Sequence, residues 1–404
     1  MSTSELYHAF GIRGYQHVKS EFEGGETFYT VRQDAGGLRC SACGSSRVVR
    51  RGYRRRRFRC PSIGMRPVHI VLDVPKVGCH DCGRVRQVRV GFADGQRSYT
   101  KGFERYVLEL SRCMTIQDVA RHLQVTWDVV KDIQKRSLTR RFKHIQLRHL
   151  SRIAIDEISI GKGHRYLTVV LDLMTGAVVF VGDGKGGDAL KPFWNRLRRS
   201  TTVIEAVAMD MSPAYISAVQ KHLPGAAIVF DHFHIIKLFN EKLSDLRRDL
   251  HREATEKLHK DVLKGTRWLL LKNPENLDES HNEPHRLKEA LRLNEPLATA
   301  YYMKEDLRRI WGQPDKKTAG RLLDIWIRRA ENSGIRMLIR FSHTLAGYRN
   351  QILNYYDYRI STGPLEGTNT KIRVLQRKAY GFRDTEFFKL KIYALHETRF
   401  QLVG

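Results

Sequence analysis

The sequence predicts a multidomain α/β chain in three parts, and three observations predict it. Two Cys-x-x-Cys-Gly pairs, Cys40/Cys43 and Cys79/Cys82, mark a small zinc-knuckle β domain over residues 1–97. Helical periodicity follows over residues 98–148, with threonines placed to start helices. From residue 149 to 404 strands and helices run in the order βββαβαβ, interrupted by an all-α stretch at about 237–350.

Composition narrows what such a chain can do. A hydrophobic fraction of 41% and a charged fraction of 28% over 404 residues describe a globular protein with room for several cores. No apolar run approaches the roughly 20 residues that span a bilayer. Residues 1–10 lack the basic and apolar regions of a secretory signal, so a cytoplasmic address and no membrane partner are expected. Lys+Arg number 71 against 43 Asp+Glu, a net charge of +28, which calls for a polyanion partner, most commonly nucleic acid.

In the first part, each knuckle ends in a glycine, Gly44 or Gly83, able to take the positive φ of a tight turn. Four thiolates from two such knuckles suit one structural tetrahedral Zn²⁺. Cys60 and Cys113 have no partner at that spacing and read as buried thiols, although Cys60 could compete as a ligand, and His80 is a weaker donor than its flanking thiolates. Residues 5–38 read as short strands and turns, and Val68-His-Ile-Val-Leu-Asp-Val74 as a strand between the knuckles. Nine arginines and no acid lie between residues 39 and 59. Among them Arg54, Arg55, Arg56, Arg57 and Arg59, interleaved with Tyr53 and Phe58, suit a ribbon laid on a phosphate backbone.

In the second part, a helix over residues 103–113 precedes Thr115-Ile-Gln-Asp-Val-Ala-Arg-His-Leu123, a turn at Gln124-Val-Thr126, and a helix from Trp127. Val119, Ala120, Leu123, Val125, Val129, Val130 and Ile133 would form the small core of a helix-turn-helix. Thr126 would cap the second helix, which would present Trp127, Lys131, Lys135 and Arg136 to a DNA groove.

In the third part, the βββαβαβ order is that of a ribonuclease-H-like domain, in which the first strand lies beside the fourth. Asp156 sits in the first strand and Asp210 ends the fourth, after Val203-Ile-Glu-Ala-Val-Ala-Met209. Acids in apolar strands are costly unless paired or holding a cation. A third acid, Glu366, falls in the first turn of a helix that opens at Gly363-Pro364. Three such carboxylates would hold two Mg²⁺, or Mn²⁺, and leave room for water and phosphate. Glu157 rivals Asp156, because alternation cannot choose a face in a covered strand. Asn369, Lys371 and Arg373 would lie along a DNA strand, while Leu365, Ile372, Leu375 and Ala379 pack on the sheet. In the helical stretch, Leu322, Leu323, Ile325, Trp326 and Ile327 read as core.

These motifs resemble a transposase of the ISL-three insertion-sequence family over nearly the whole chain. The resemblance is carried by the two knuckles, the helices of residues 116–133, Ile155-Asp156-Glu157, Ala208-Met-Asp210-Met-Ser-Pro-Ala-Tyr215, Phe230-Asp-His-Phe-His-Ile-Ile-Lys237, Trp268-Leu-Leu-Leu-Lys-Asn-Pro274 and Leu365-Glu366-Gly-Thr-Asn369-Thr-Lys371-Ile372. It implies a DDE triad of Asp156, Asp210 and Glu366, with residues of about 237–350 as an insertion between the second and third acids. It also implies binding to the inverted repeats at element ends, metal-dependent cleavage and strand transfer on double-stranded DNA, and a homodimer or larger assembly, nucleoid-associated when DNA-bound. Asp231 and His234 match a motif after the second acid that either orients the metal site or packs the strand end. Cys60 departs from the family's pattern. The rival reading is a non-catalytic, domesticated transposase-derived DNA-binding regulator.

Overall fold

Alternating apolar residues build the strand that leads into the second knuckle, at the centre of the N-terminal sheet. The computed structural model describes residues 5–33, 35–95, 97–161, 163–254, 263–264 and 266–396. The chain divides into two units, one of Met1–Lys143 with Leu375–Lys391 and one of His144–Val374 with Ile392–His396.

In the first unit, β1 (Tyr15–Glu23), β2 (Glu26–Gln33), β3 (Val48–Ile63), β4 (Arg66–Cys79) and β5 (Val85–Gln87) form one sheet in the order β1-β2-β4-β3, with β5 also on β4. The Val68 run is part of β4, whose Val68, Ile70, Leu72 and Val74 are buried in period-2 alternation. The arginine-rich run is the long strand β3, antiparallel to β4, and only its Phe58–Cys60 end is buried. A short helix, Glu5–Phe10, precedes β1 where only strands and turns were expected. Its Leu6 and Phe10 stand one turn apart and pack on the sheet's core, a pattern too short to register as periodic.

The next three helices are Lys101–Leu110, Ile116–Leu123 and Trp127–Phe142. Thr100 and Thr115 cap the first two by accepting Phe103 N–H and Asp118 N–H. Gln124, with φ 52°, makes the sharp turn into the third. Thr126 occupies that helix's N-cap position, but its side chain makes no capping bond. Val119, Ala120, Leu123, Val130 and Ile133 are buried with Tyr99, Phe103 and Val107, with Val125 and Val129 packed against them, so the expected helix-turn-helix core is present. Residues 375–391 group with this unit. Within them, Asp384 starts the helix Thr385–Tyr393 by accepting Phe387 N–H at 3.0 Å.

The second unit is built on β6 (Arg152–Gly161), β7 (Arg165–Asp172), β8 (Val178–Asp183), β9 (Ala206–Met209) and β10 (Ala227–Phe230). Their order in the sheet is β10-β9-β6-β7-β8, so the first strand of this part lies beside the fourth, as expected. β6, β7 and β8 form an antiparallel meander, while β9 and β10 run parallel to β6. Helices Lys191–Leu197 and Pro213–His222 contribute Phe193, Trp194 and Tyr215 to the core. Between β10 and Glu366 every described element is helical. Phe239, Trp326 and Phe341 meet edge to face there, with Phe239 and Phe341 centroids 5.0 Å apart. Ile325 corrects the expected core: it is 46% exposed, whereas Leu323, Trp326 and Ile327 are buried. No helix among the described residues is long and apolar enough to cross a membrane.

Candidate functional site

The two strand acids are brought together by register. β6 and β9 pair in parallel as Ile153↔Val207 and Ala154↔Ala208, so Asp156 and Asp210 each stand two residues beyond the last paired position. Asp210 Oδ1 accepts Ser212 N–H at 3.0 Å, which turns the chain into the helix at Pro213. Asp156 accepts its neighbour Glu157's N–H at 2.8 Å on Oδ1 and the Asn369 amide at 2.8 Å on Oδ2. Among the described residues neither acid has a lysine or arginine partner. Burial pushes Asp156 above its ordinary value of 3.8; the Glu157 N–H and His234 offset part of this, and the charges of Asp210 and Glu157 add to it. Glu157, the rival acid, accepts instead from Tyr215 Oη at 3.2 Å. That tyrosine is also bonded to Thr168 and Gly186, and burial holds its phenol up at about 12. The two neighbouring acids therefore have different partners: Asp156 meets the helix of Glu366, and Glu157 the helix after β9.

Glu366 lies in the first turn of helix Gly363–Lys378, exposed. Its N–H bonds to Thr362 O at 2.9 Å, so the helix begins one residue earlier than a Gly363 cap would place it. Asn369, one turn on, is not laid out for DNA: it is 5% exposed and holds Asp156. Lys371 and Arg373 are exposed on the same helix, Leu365 and Ile372 are buried, and Ala379 lies past its end and is exposed. Asp231, at the exit of β10, is buried, caps helix His232–Glu253 through Phe233 N–H and accepts both the N–H and the hydroxyl of Thr362. His234 is half-buried.

The four knuckle thiols converge. All Sγ atoms of Cys40, Cys43, Cys79 and Cys82 lie within 4.8 Å of one another, with 3.6 Å from Cys40 to Cys82 and 3.5 Å from Cys43 to Cys79. Tetrahedral zinc with Zn–S bonds near 2.3 Å sets its sulfurs about 3.8 Å apart, so the four residues fit the ion. Gly44 and Gly83 take the expected positive φ, 78° and 67°. The Cys43 and Ala42 N–H groups draw the Cys40 thiol down to about 6. Cys60 is outside the cluster, buried, with its thiol pushed up to about 12 by burial. Cys113 is exposed rather than buried, and His80 is not among the converging donors. Among the described residues this is the only group of three or more such donors drawn that close; the carboxylates of Asp156, Asp210 and Glu366 do not converge to the same degree.

Several arginines and lysines expected on DNA are committed within the first unit. Arg59 is 7% exposed and donates to Leu123 O at 2.8 Å, tying β3 to the helix-turn-helix, so it is no phosphate contact. Arg55 forks onto Asp73, and Arg56 donates to Gly95 O and Arg97 O. Arg136 points inward, to Glu104 at 3.1 Å and Asp132 at 3.1 Å, and not to a groove. Lys131 and Lys135 both pair with Asp384, at 3.1 and 2.9 Å. Partnership is a property of the folded chain and has no mark at these positions in the sequence. Arg54, Arg57 and Trp127 remain exposed, Trp127 at 42% with the Lys131 ammonium 5.1 Å from its ring centroid.

A basic chain with a four-thiol knuckle pair, a helix-turn-helix and two acids on adjacent parallel strands, one within β6 and one just past β9, has the parts of a DNA transposase. It belongs to transposase family ISL3. The family's transposase profile matches residues 153–392, its helix-turn-helix domain residues 88–138, and the zinc finger of the IS204/IS1001/IS1096/IS1165 transposases residues 37–82. The chain is 33% identical over 330 residues to the transposase for insertion sequence element IS1001 of Bordetella parapertussis, covering 80% of this chain and 81% of that one. It is 29% identical over 376 residues to the transposase for element IS1557 of Mycobacterium tuberculosis, covering 86% and 83%. A solved chain of the Drosophila P element transposase strand transfer complex aligns at 15% identity and a TM-score of 0.36, covering 63% of this chain and 78% of that one, a likeness too low to bear on the fold.

Proposed function

We propose that this transposase binds the terminal inverted repeats of its insertion sequence as double-stranded DNA, cleaves a phosphodiester at each end and transfers the freed 3′-hydroxyl to target DNA. Asp156, Asp210 and Glu366 act as the catalytic triad on a ribonuclease-H-like sheet, and the helices of about 237–350 form an insertion within it. The carrying observation is the placement of Asp156 within β6 and Asp210 just past the end of its parallel neighbour β9, with no lysine or arginine partner for either among the described residues. Carboxylate oxygens are the donors hard divalent cations prefer, so the acids suit two Mg²⁺, or Mn²⁺. When bound, such ions activate the attacking oxygen and stabilise the leaving one. The chain's own part is to hold the acids in register: the β6–β9 ladder sets two of them, and helix Gly363–Lys378 carries the third. Asp231 packs the strand end, with His234 beside the site.

Zinc at the four thiols would keep the N-terminal sheet folded, while Arg54, Arg57, Trp127, Lys371 and Arg373 supply exposed contacts to DNA. Two element ends handled together imply a homodimer or larger assembly, working on the nucleoid in the cytoplasm. The test is cleavage of end-containing DNA with Mg²⁺ by wild type, Asp210→Asn and Glu366→Gln. Each variant should lose about 10²–10³-fold or more in rate while retaining end affinity. Wild-type cleavage by either would remove that residue from the triad.

A further inference from the structure

Glu366 is exposed and follows a long helical excursion from β10, yet it must stand at a fixed place against two strand acids. Two buried groups flank it at one helical turn on either side. Four residues before it, Thr362 is 2% exposed and donates its N–H, at 2.9 Å, and its hydroxyl to Asp231 Oδ2. Three residues after it, Asn369 donates to Asp156 Oδ2 at 2.8 Å. Thr362 O in turn accepts the Glu366 N–H. A helix start after a loop frays unless its first turn is tied down. Here the ties run to the exit of β10 and to the first acid itself.

We propose that Asp231 and Asn369 are positioning residues that pin the first two turns of helix Gly363–Lys378 to the end of the sheet and so set where Glu366 stands. The inference rests on the reading of Glu366 as the third acid. A carboxylate has about four acceptor sites, and Asp231 commits three of them to Phe233 N–H, Thr362 N–H and the Thr362 hydroxyl, with His232 Nδ1 another 3.3 Å from Oδ1. That leaves it poorly suited as a metal ligand and well suited as a strap. Asn369 completes the second tie with one amide group, and its Oδ1 is buried with no partner among the described residues. Burying that oxygen unpaired is a cost that the amide's bond to Asp156 offsets.

The experiment uses the full-length protein with Thr362→Val, Thr362→Ser, Asp231→Asn, Asn369→Ala and Glu366→Gln. Thr362→Val removes one donor and keeps shape. Asp231→Asn sets an amide donor against the Thr362 donors. Amide hydrogen exchange over residues 363–370 is followed in the free protein, beside cleavage rate, end affinity and Mn²⁺ binding without DNA, read from the free-ion signal. Thr362→Val, Asp231→Asn and Asn369→Ala should each speed exchange over those residues by about tenfold or more and lower the cleavage rate at saturating DNA. They should also weaken Mn²⁺ binding with end affinity unchanged, and Thr362→Ser should restore all three. Wild-type exchange and Mn²⁺ binding in Thr362→Val and Asn369→Ala would overturn the proposal. Should Glu366→Gln cleave normally while the exchange changes persist, the third-acid reading fails and the ties remain.

Discussion

The first unit's paired acids and the second unit's two strand acids show opposite treatments of a carboxylate, although other acids of the second unit, such as Asp324 with Arg349 and Glu283 with Lys272, are paired like those of the first. In the first, Glu104 holds Arg136 and Arg140, Asp73 holds Arg55, Asp132 holds Arg97 and Arg136, and Asp384 holds two lysines. In the second, Asp156 and Asp210 are met by backbone N–H groups and one amide. Both units belong to a chain rich in lysine and arginine, so scarcity of cations does not explain the difference. A carboxylate neutralised by a guanidinium is finished as a structural part, whereas one stabilised only by dipoles keeps its charge available to an incoming cation. The contrast also shows that several basic residues expected on DNA are engaged by acids of their own unit, although of those expected only Arg59 is buried.

The largest test of this contrast is removal of the zinc that the thiols would hold. The metal's bonds to four sulfurs are what would tie the two knuckles together, so chelation or Cys43→Ser should melt the β1–β5 sheet while the β6–β10 sheet persists. Circular dichroism with limited proteolysis would read this, and loss of both sheets together would break the idea that each unit stands on its own core.

Next in size is Asp384→Ala, which removes a helix cap and two lysine partners and should cost about 1–3 kcal/mol in the first unit. Burial tends to raise this acid, but Lys135, the Phe387 N–H and Lys131 outweigh it and hold it far below its ordinary 3.8. A depressed acid stabilises above its ordinary value and loses that contribution as pH falls through the lowered one. The deficit should therefore be full at pH 7 and close only in strong acid.

Asp156→Asn should be smaller and of opposite sign, raising stability by about 0.5–2 kcal/mol at pH 7 while abolishing cleavage. The raised Asp156 destabilises when ionised, so the wild type regains the difference as pH falls through the raised value. The Asn369 amide can flip to offer its unpaired Oδ1 to the new side chain. Thermal melts of both variants across pH would show the two signatures; the same sign for both would collapse the comparison.

Much of this was legible before any coordinates. Knuckle spacing, the apolar alternation of β4, the helix opening at Thr115 and the strand order of the second unit are local or periodic signals, and local physics writes them into neighbouring positions. What escaped depends on distant partners. Nothing near Arg136 announces Glu104, 32 residues back, and nothing near Lys135 announces Asp384, 249 residues on. Asn369 read as a DNA contact until Asp156, 213 residues away, accounted for it. The choice between Asp156 and Glu157 was open for the same reason, since only Asn369 and Tyr215 tell their surroundings apart.

The parallel pairing of β6 with β9 works as a ruler. Hydrogen-bonded neighbours stand about 4.7–4.9 Å apart whatever side chains they carry, so the Ala154–Ala208 pair fixes the base from which the chain runs two residues on to Asp156 and to Asp210. Lengthening either acid by one methylene would change its reach from an immovable base. Asp156→Glu or Asp210→Glu should therefore misplace an otherwise intact charge, a defect of gauge rather than of charge.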